Sequence, residues 1–150
     1  MIVGASSPEE KTALVAYLAG KIGISSQQLI GAMPYEVGAI TRKGLPLGAV
    51  IYINYRGPTV EMACAGEPGW LSPGTIRDAF TYPFVQLGVW TVLTHTSRNN
   101  AASRKFQRKL GFRELGVVEC GPNRNDDAII YSMTRPECRW IEQPTQARAA

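Results

Sequence analysis

Polar residues between positions 99 and 112 are the first candidates for chemistry, because their spacing would place them together on one helix. Asn100, Ser103 and Gln107 recur at helical spacing and form one stripe. A second stripe, which we expect to be buried, holds Ala102, Phe106 and Leu110. A polar stripe at the rim of a buried face can line a cleft. Gly111 is the residue expected just after the helix, and Phe112 returns the chain to the core.

The other reactive side chains are few and far apart. His95 is the single histidine, and the three cysteines Cys64, Cys120 and Cys138 form no CxxC pair. This pattern favours neither a zinc site nor a disulfide framework, so no metal is predicted. We interpret Cys64 as a small core residue. A lone histidine is more often structural than catalytic, although His95 falls at the end of a predicted strand.

These residues need a scaffold, and the first half of the chain predicts one. A strand is indicated over residues 2–6 and a helix over residues 7–23, where Ser7 and Glu10 have capping-box spacing. Residues 25–33 are interpreted as a short second helix. Three β-like runs follow at residues 35–42, 46–55 and 58–66. Their short, turn-rich joins favour an antiparallel meander.

The second half alternates helices and strands. A helix is predicted over residues 75–88, capped by Thr75 and Asp78 and kinked at Pro83. The remaining elements are a strand at 89–96, a helix at 99–110, and strands at 112–121 and 126–135. This order predicts an α/β (α+β) domain, with a mixed, mostly antiparallel central sheet flanked by helices. The domain is expected to span residues 1–140, and residues 141–150 to form a flexible tail.

Composition restricts the class of protein. The 150 residues suffice for one domain, and 45% hydrophobic with 19% charged residues is typical of a soluble globular protein. The chain opens without a basic, apolar leader and has no run long enough for a membrane span. A cytoplasmic protein without a membrane partner is therefore expected. The net charge of +4 favours anionic ligands such as phosphorylated cofactors.

The basic residues near position 105 do not favour nucleic acid as a partner. They are Arg98, Arg104, Lys105, Arg108 and Lys109. No base-reading motif accompanies them. Such a run is more often a solvated helix face, and some of these residues could instead meet the phosphate end of a cofactor.

The spacing Asn100-x-x-Ser103, seven residues, then Gly111-Phe112 resembles the end of the core of the GCN5-related N-acetyltransferases (GNAT). "RKLGF" is similar to the "EKLGF" ending of the ribosomal-protein N-terminal acetyltransferase branch. The preceding "VWTVLTHT" and the following "FRELGVV" and "DDAIIYSM" extend the resemblance. It covers roughly residues 37–133.

This resemblance implies acetyl-CoA as co-substrate, held in a V-shaped split between the fourth and fifth strands. The fourth strand would be residues 58–66, and the next loop would wrap the pyrophosphate at a helix N-terminus, where free N–H groups favour phosphate. The cofactor-binding residues that the resemblance implies are Ala65, Gly66, Trp70, Leu71, Ser72, Gly74, Thr75, Asn100, Ser103 and Arg104. The loop lacks the Gln or Arg that often starts it in the family, and Pro73 removes one donor.

The same resemblance implies catalytic roles. Acetyl transfer requires that an amine lose a proton and that the leaving thiolate gain one. Glu61 is the expected base, with Glu67 or a water chain as alternatives. Ser103 is the expected acid, with Tyr131 as an alternative, because Gln107 stands where many relatives have tyrosine.

The implied function is direct transfer of an acetyl group from acetyl-CoA to an amine. The acceptor would be a protein N-terminus, a lysine or a small amine, and a homodimer is compatible with the resemblance. The alternative is a non-catalytic GNAT-fold binding or structural protein, such as one encoded by a phage, with a degraded CoA site. The divergent loop and the missing tyrosine favour this alternative.

Overall fold

Seven strands form one sheet in the computed structural model, which describes residues 1–23 and 34–143. In chain order the strands are β1 (Val3–Gly4), β2 (Pro34–Arg42), β3 (Leu45–Ile53), β4 (Thr59–Gly66), β5 (Thr91–Ser97), β6 (Arg113–Asn123) and β7 (Asp126–Thr134). Their spatial order is β1-β2-β3-β4-β5-β7-β6. Every neighbouring pair is antiparallel except β4 and β5. The mixed, mostly antiparallel sheet expected from the sequence is confirmed.

Three α-helices of the described residues flank this sheet. They are α1 (Pro8–Ile22), α2 (Pro73–Thr81) and α3 (Ala101–Leu110). The Ser7 side chain accepts the Glu10 N–H at the start of α1, and Gly23 ends the helix with φ 86°. Both ends of the first predicted helix are therefore confirmed. None of the described helices is both long and apolar enough to cross a membrane.

The predicted caps of the next helix were wrong. Ser72 is the N-cap of α2, since its hydroxyl oxygen accepts the Thr75 N–H, and Pro73 takes the first helical position. Asp78 instead accepts the backbone N–H of Ile2 at 3.0 Å, which ties the N-terminal segment to α2. The disturbance predicted at Pro83 is present, because α2 continues as a π-helical turn over Tyr82–Gln86.

The sheet carries a core on each face, because the central strands alternate two sets of apolar side chains. Ala49 and Ile51 of β3 belong to a cluster with Leu14 and Leu18 of α1. The other cluster, which includes Val50 of β3, packs against α2, β7 and the C-terminal segment. Its largest fully buried members are Phe80, Phe84, Tyr131 and Met133. Burial on both faces fixes β3 and β4 as a rigid platform.

Two predictions about the helix α3 need correction. Ala102 was expected in the buried stripe of the 99–110 helix, but it is exposed, Phe106 is half-buried and only Leu110 is fully buried. The helix also starts later than predicted, because Asn100 is its N-cap and its Oδ1 accepts the Ser103 N–H at 3.0 Å. The face of α3 near its N-terminus therefore borders open space rather than core.

The C-terminal tail also begins later than expected. Ile141 is only 8% exposed and belongs to the main core, and the Gln143 side chain donates to the carbonyls of Arg135 and Cys138 at 2.8 Å. The folded part thus reaches residue 143. The rest of the predicted tail, residues 144–150, and the short helix predicted at 25–33 lie outside the described residues.

Candidate active site

A split between β4 and β5 opens the sheet. The two strands pair in parallel only at Thr59–Thr91, Val60–Val92 and Glu61–Leu93. Beyond Glu61, β4 runs on to Gly66 and β5 to Ser97 without further pairing to each other. The backbones must therefore diverge from this point, and the V-shaped split that the family resemblance implied is present.

A cavity of about 750 Å³ lies along this split, and we call it the first cavity. It is bounded by the unpaired parts of β4 and β5, the loop after β4 and the N-terminal half of α3. Six of the ten predicted cofactor-binding residues line it: Ala65, Gly66, Trp70, Leu71, Asn100 and Ser103. The fold thus brings together residues separated by more than thirty positions in the sequence.

The other four predicted cofactor residues lie outside the described lining of this cavity. Ser72, Gly74 and Thr75 begin α2, where the Thr75 N–H donates to the Ser72 hydroxyl and the Ile76 N–H to the Ser72 carbonyl. Neither of these two amides is therefore free to bind a phosphate. A phosphate site at this helix end remains a prediction.

Arg104 is the fourth of these residues, and its contacts belong to the outer face of α3. Its guanidinium donates to the Arg98 carbonyl at 3.4 Å and lies 3.9 Å from Glu114. Arg108 also donates to Glu114, at 2.9 Å. These contacts tie the basic face of α3 to β6, as a solvated helix face would be.

Trp70 folds back over the end of the sheet. Its indole lies on Gly48 of β3 and Gly66 of β4, two residues that are paired across the strands. A Cβ atom at Gly66 would come within 2.6 Å of the indole, and one at Gly48 would meet it as well. The two glycines therefore form a notch that seats Trp70 at the rim of the first cavity.

Three residues that line the first cavity each carry a buried polar atom without a described partner. The atoms are Oγ1 of Thr94, Oγ1 of Thr96 and Oε1 of Gln107, none of which has a hydrogen-bond partner among the described residues. Thr94 and Thr96 are 3% and 5% exposed. Because a buried unsatisfied polar group costs about 1–3 kcal/mol, such a wall fits a ligand that carries hydrogen-bonding groups.

A second cavity, of about 1040 Å³, adjoins the first. Glu61, the end of β5, the start of α3 and the β6–β7 hairpin form its walls. His95, Thr96 and Asn100 are among the residues that line both cavities. The end of β5 thus stands where the two spaces meet.

Glu61 and His95 form a pair at this junction. Nδ1 of His95 lies 3.3 Å from Oε2 of Glu61, and the side chains are 42% and 20% exposed. The hydrogen bond from His95 lowers the pKa of Glu61, against partial burial that raises it. The same hydrogen bond raises the pKa of His95 above 6.5. The imidazole therefore keeps its proton to a higher pH than an isolated histidine does, and its Nδ1 side is held by the carboxylate.

The alternative candidates for proton transfer have other partners. Glu67 lines the rim of the first cavity but forms an ion pair with Lys21. Tyr131 is fully buried, and its hydroxyl donates to Glu114 at 3.4 Å. Cys64 lines the first cavity, and burial raises the pKa of its thiol to about 11. The thiol therefore stays protonated at neutral pH and is a poor nucleophile.

Thr94, Thr96 and Asp126 line these cavities but are not among the residues predicted from the sequence. The signal for the threonines was present, because "TVLTHTS" alternates and places two hydroxyls on one face of a strand. No comparable pattern marks Asp126. Across residues 1–23 and 34–143, no three His, Cys, Asp or Glu side chains gather as a metal site would require.

Comparisons with known proteins identify the fold. No protein-family model matches the sequence, and no curated protein matches it either. Among solved structures, a protein of the GNAT family from Desulfovibrio desulfuricans is similar with a TM-score of 0.66 at 20% identity, over 89% of this chain and 98% of that one. The ribosomal-protein-S18-alanine N-acetyltransferase of Escherichia coli gives a TM-score of 0.64 at 18% identity, over 89% and 94% of the two chains.

A third similar structure contains a ligand. The N-acetyltransferase PseH of Campylobacter jejuni, in complex with acetyl coenzyme A, gives a TM-score of 0.62 at 11% identity, over 90% of this chain and 98% of that one. Likeness at such low identity establishes the architecture. The chain therefore has the GNAT acetyltransferase fold, as the resemblance of its sequence predicted.

Proposed function

We propose that this protein is an acyltransferase that moves an acetyl group from acetyl-CoA to an amine. The observation that carries the proposal is the meeting of two cavities at the open end of the β4–β5 split, beside the Glu61–His95 pair. A two-substrate reaction needs such an arrangement, since two reactants must approach one point from different sides. The acetyl-CoA complex of a protein with this fold agrees with this proposal.

The first cavity is the proposed place of the CoA arm. The unpartnered Thr94, Thr96 and Gln107 atoms fit the amide groups of that arm, because two can donate and one can accept. When bound, the co-substrate supplies a thioester whose acyl carbon is open to attack. Ala65 and Gly66 of β4 offer unpaired backbone across the split.

His95 is the proposed proton acceptor, and Glu61 its positioning residue. Glu61 holds Nδ1–H, which leaves Nε2 of His95 to take the proton that an attacking ammonium must lose. Glu61 also stabilises the imidazolium that results. This division of roles differs from the sequence-based hypothesis, in which Glu61 itself is the base.

The overall step balances without another reactant. The nitrogen–carbon bond of the new amide forms as the carbon–sulfur bond breaks, and the second nitrogen proton ends on the departing thiol. Ser103 is the proposed relay for that proton, because it lines the first cavity on the α3 wall. Its N–H is fixed by Asn100, which holds the start of the helix in place.

A binding protein without catalysis is the second candidate. The observation that favours it is the use of the Thr75 and Ile76 amides inside α2, where a phosphate site was expected. Calorimetric titration with acetyl-CoA, followed by detection of free thiol with a mixture of amines, separates the two. Binding with thiol release supports the transferase, whereas binding without thiol release, or no binding at millimolar ligand, contradicts it and supports the second candidate.

A further inference from the structure

One ring nitrogen of His95 is free at the junction of the two cavities. Because Nδ1 donates to Glu61, Nε2 of the neutral ring carries a lone pair, and no hydrogen bond to it occurs within the described residues. The His95 side chain is 42% exposed, so water reaches this nitrogen whenever the second cavity holds no acceptor. Enzymes use such a carboxylate-held imidazole to take a proton from a hydroxyl group that attacks an acyl carbon.

The second cavity offers hydrogen-bonding groups that can hold water beside His95. Ser97, Asn100 and Asp126 belong to its lining. Oδ1 of Asn100 accepts the Ser103 N–H, which leaves the amide NH2 group of Asn100 as a donor. The carboxylate of Asp126 accepts the Ser97 hydroxyl and can accept from water as well. Polar groups of this kind hold bridging water at little cost, so the cavity is suited to water when it is not filled by an acceptor.

The alternation of side chains along β5 separates the base from the proposed place of the CoA arm. His95 stands between Thr94 and Thr96, so its ring projects from the opposite face of the strand to the two threonine hydroxyls. The two faces communicate through the open part of the split, where β4 and β5 no longer pair. A molecule in the second cavity therefore attacks from the side opposite to the wall that would hold the co-substrate.

The split also provides groups that can polarise an acyl carbonyl. Beyond Glu61, β4 stays paired with β3 as far as Gly66, but its other edge has no partner from β5. Alternate backbone N–H groups of a strand point to each edge, so some of those on β4 point into the split. Fixed N–H donors stabilise the negative charge that develops on oxygen during acyl transfer. This assistance is the same for an attacking water molecule as for an amine.

Water and an amine make different demands on His95. At pH 7 only roughly one alkylamine molecule in 2,500 is neutral, because the pKa of its ammonium form is about 10.4. Water is always in a state that can react, but it must lose a proton while it bonds to the acyl carbon. A general base assists that step by about 10²–10⁴-fold. The Glu61–His95 pair meets this demand with a free Nε2 in contact with solvent.

We propose that the protein also hydrolyses acetyl-CoA when no amine is bound, with His95 as the base that activates water. This inference rests on the proposed function for the place of acetyl-CoA, and it adds a thioesterase activity. The water oxygen bonds to the acyl carbon as the carbon–sulfur bond breaks. Nε2 of His95 takes one water proton and returns it to the departing sulfur. The second water proton is released when acetic acid ionises, so the products are acetate and the CoA thiol.

Product analysis in the absence of amines tests the inference, because free thiol alone does not distinguish hydrolysis from transfer. The protein is incubated with acetyl-CoA in amine-free buffer made with oxygen-18-labelled water, and acetate is measured by mass spectrometry. We expect acetate with one labelled oxygen, in an amount equal to the released thiol and over many turnovers. Acetate formation no faster than in a protein-free control overturns the inference.

Substitution of His95 tests its role as the base. His95→Ala should lower acetate formation by at least about a hundredfold. The control is Asp127→Asn, which should leave acetate formation unchanged because Asp127 lies outside the described lining of both cavities. Thermal melting shows whether each variant is folded. Acetate formation that persists in folded His95→Ala overturns the inference.

The pH dependence of the unmodified protein decides the question if His95→Ala does not fold. Glu61 is the charged group that acts on His95 within the described chain, and Arg56 acts in turn on Glu61. NMR titration of the single histidine gives its pKa without any acetyl-CoA. Acetate formation should rise with pH and level off above that pKa. A profile that does not follow the measured pKa overturns the inference.

Addition of amines separates this inference from the proposed function. Acetyl transfer should continue to rise with pH as the amine loses its proton, whereas acetate formation should level off. Acetylated amine without acetate overturns the hydrolysis and leaves the transferase proposal intact. Acetate without acetylated amine supports the hydrolysis and contradicts the transferase proposal. If neither product forms, both are overturned.

Discussion

Nδ1 of His95 lies 3.3 Å from Oε2 of Glu61, which is the last residue of β4 that pairs with β5. The pair stands where the parallel ladder ends, so the strand pairing that holds both backbones also fixes the side chains. Each residue shifts the other's pKa in the direction that keeps both charged. This relationship gives the first prediction.

The acid limb of the pH–activity profile should be set by the ionisation of His95. The imidazole must be neutral to accept a proton, so kcat/KM should rise with pH through a pKa above 6.5. Glu61→Gln removes the carboxylate that raises this pKa, so the acid limb should move to lower pH and the plateau should fall. Since the sequence has a single histidine, NMR titration measures the same pKa directly.

A base role for Glu61 itself makes a different prediction. Activity would then rise through a pKa below 4.5, and Glu61→Gln would abolish it.

The Glu61–His95 pair should also affect the stability of the fold. The lowered pKa of Glu61 stabilises the fold above about 4.5, and the raised pKa of His95 stabilises it below about 6.5. The stabilising effect of the pair should therefore be largest between these values and absent in Glu61→Gln.

The unpartnered wall of the first cavity predicts opposite effects on stability and on binding. Thr94→Val and Gln107→Leu remove buried polar atoms that have no described partner, so each should leave the free protein equally stable or stabilise it by up to about 1–2 kcal/mol. The same substitutions should weaken acetyl-CoA binding by about tenfold. Thermal melting and calorimetric titration measure the two effects.

Ser132→Ala is the matched control for this wall. Its hydroxyl is also buried without a described partner, but Ser132 does not line either cavity. Ser132→Ala should change the melting temperature as Thr94→Val does, and should bind acetyl-CoA with the affinity of the unmodified protein. If Thr94→Val and Gln107→Leu both leave the affinity unchanged, the wall does not bind the CoA arm.

The notch under Trp70 predicts a coupling between two residues. Gly48→Ala places a methyl group against the indole and should destabilise the fold by about 1–3 kcal/mol. The double variant Gly48→Ala with Trp70→Ala should lose less than the sum of the single losses, because the clash is gone. Gly116→Ala, on β6 with open space around it, is the control. Additive losses in chemical denaturation would show that Trp70 does not rest on Gly48.

Asn100 has two roles that substitutions can separate. As N-cap of α3, it should tolerate Asp or Ser, whereas Asn100→Ala should cost about 1 kcal/mol of stability. Asn100 also lines both cavities, so we expect Asn100→Asp to keep the melting temperature but to weaken acetyl-CoA binding through the added negative charge. If Asn100→Asp leaves the affinity for acetyl-CoA unchanged, Asn100 acts only as the N-cap of α3.

Much of the fold could be predicted because its signals are local. Short turns between β-branched runs predicted the meander, and Ser7 with Gly23 marked both ends of α1. Local signals were weaker where several residues compete for one role. Ser72, Thr75 and Asp78 can all cap α2, and Asp78 is drawn away by the N–H of Ile2, which lies 76 positions earlier.

By itself the sequence determined the order of the elements, the split-strand architecture that its GNAT resemblance implied, and the helix bearing Asn100 and Ser103. Only the tertiary structure decided which polar residues meet. It joined His95 to Glu61, left Thr94 and Gln107 without partners and placed Asp126 beside Ser97. The physical reason is that strand pairing and burial connect positions about thirty residues apart, and no period along the chain records such contacts.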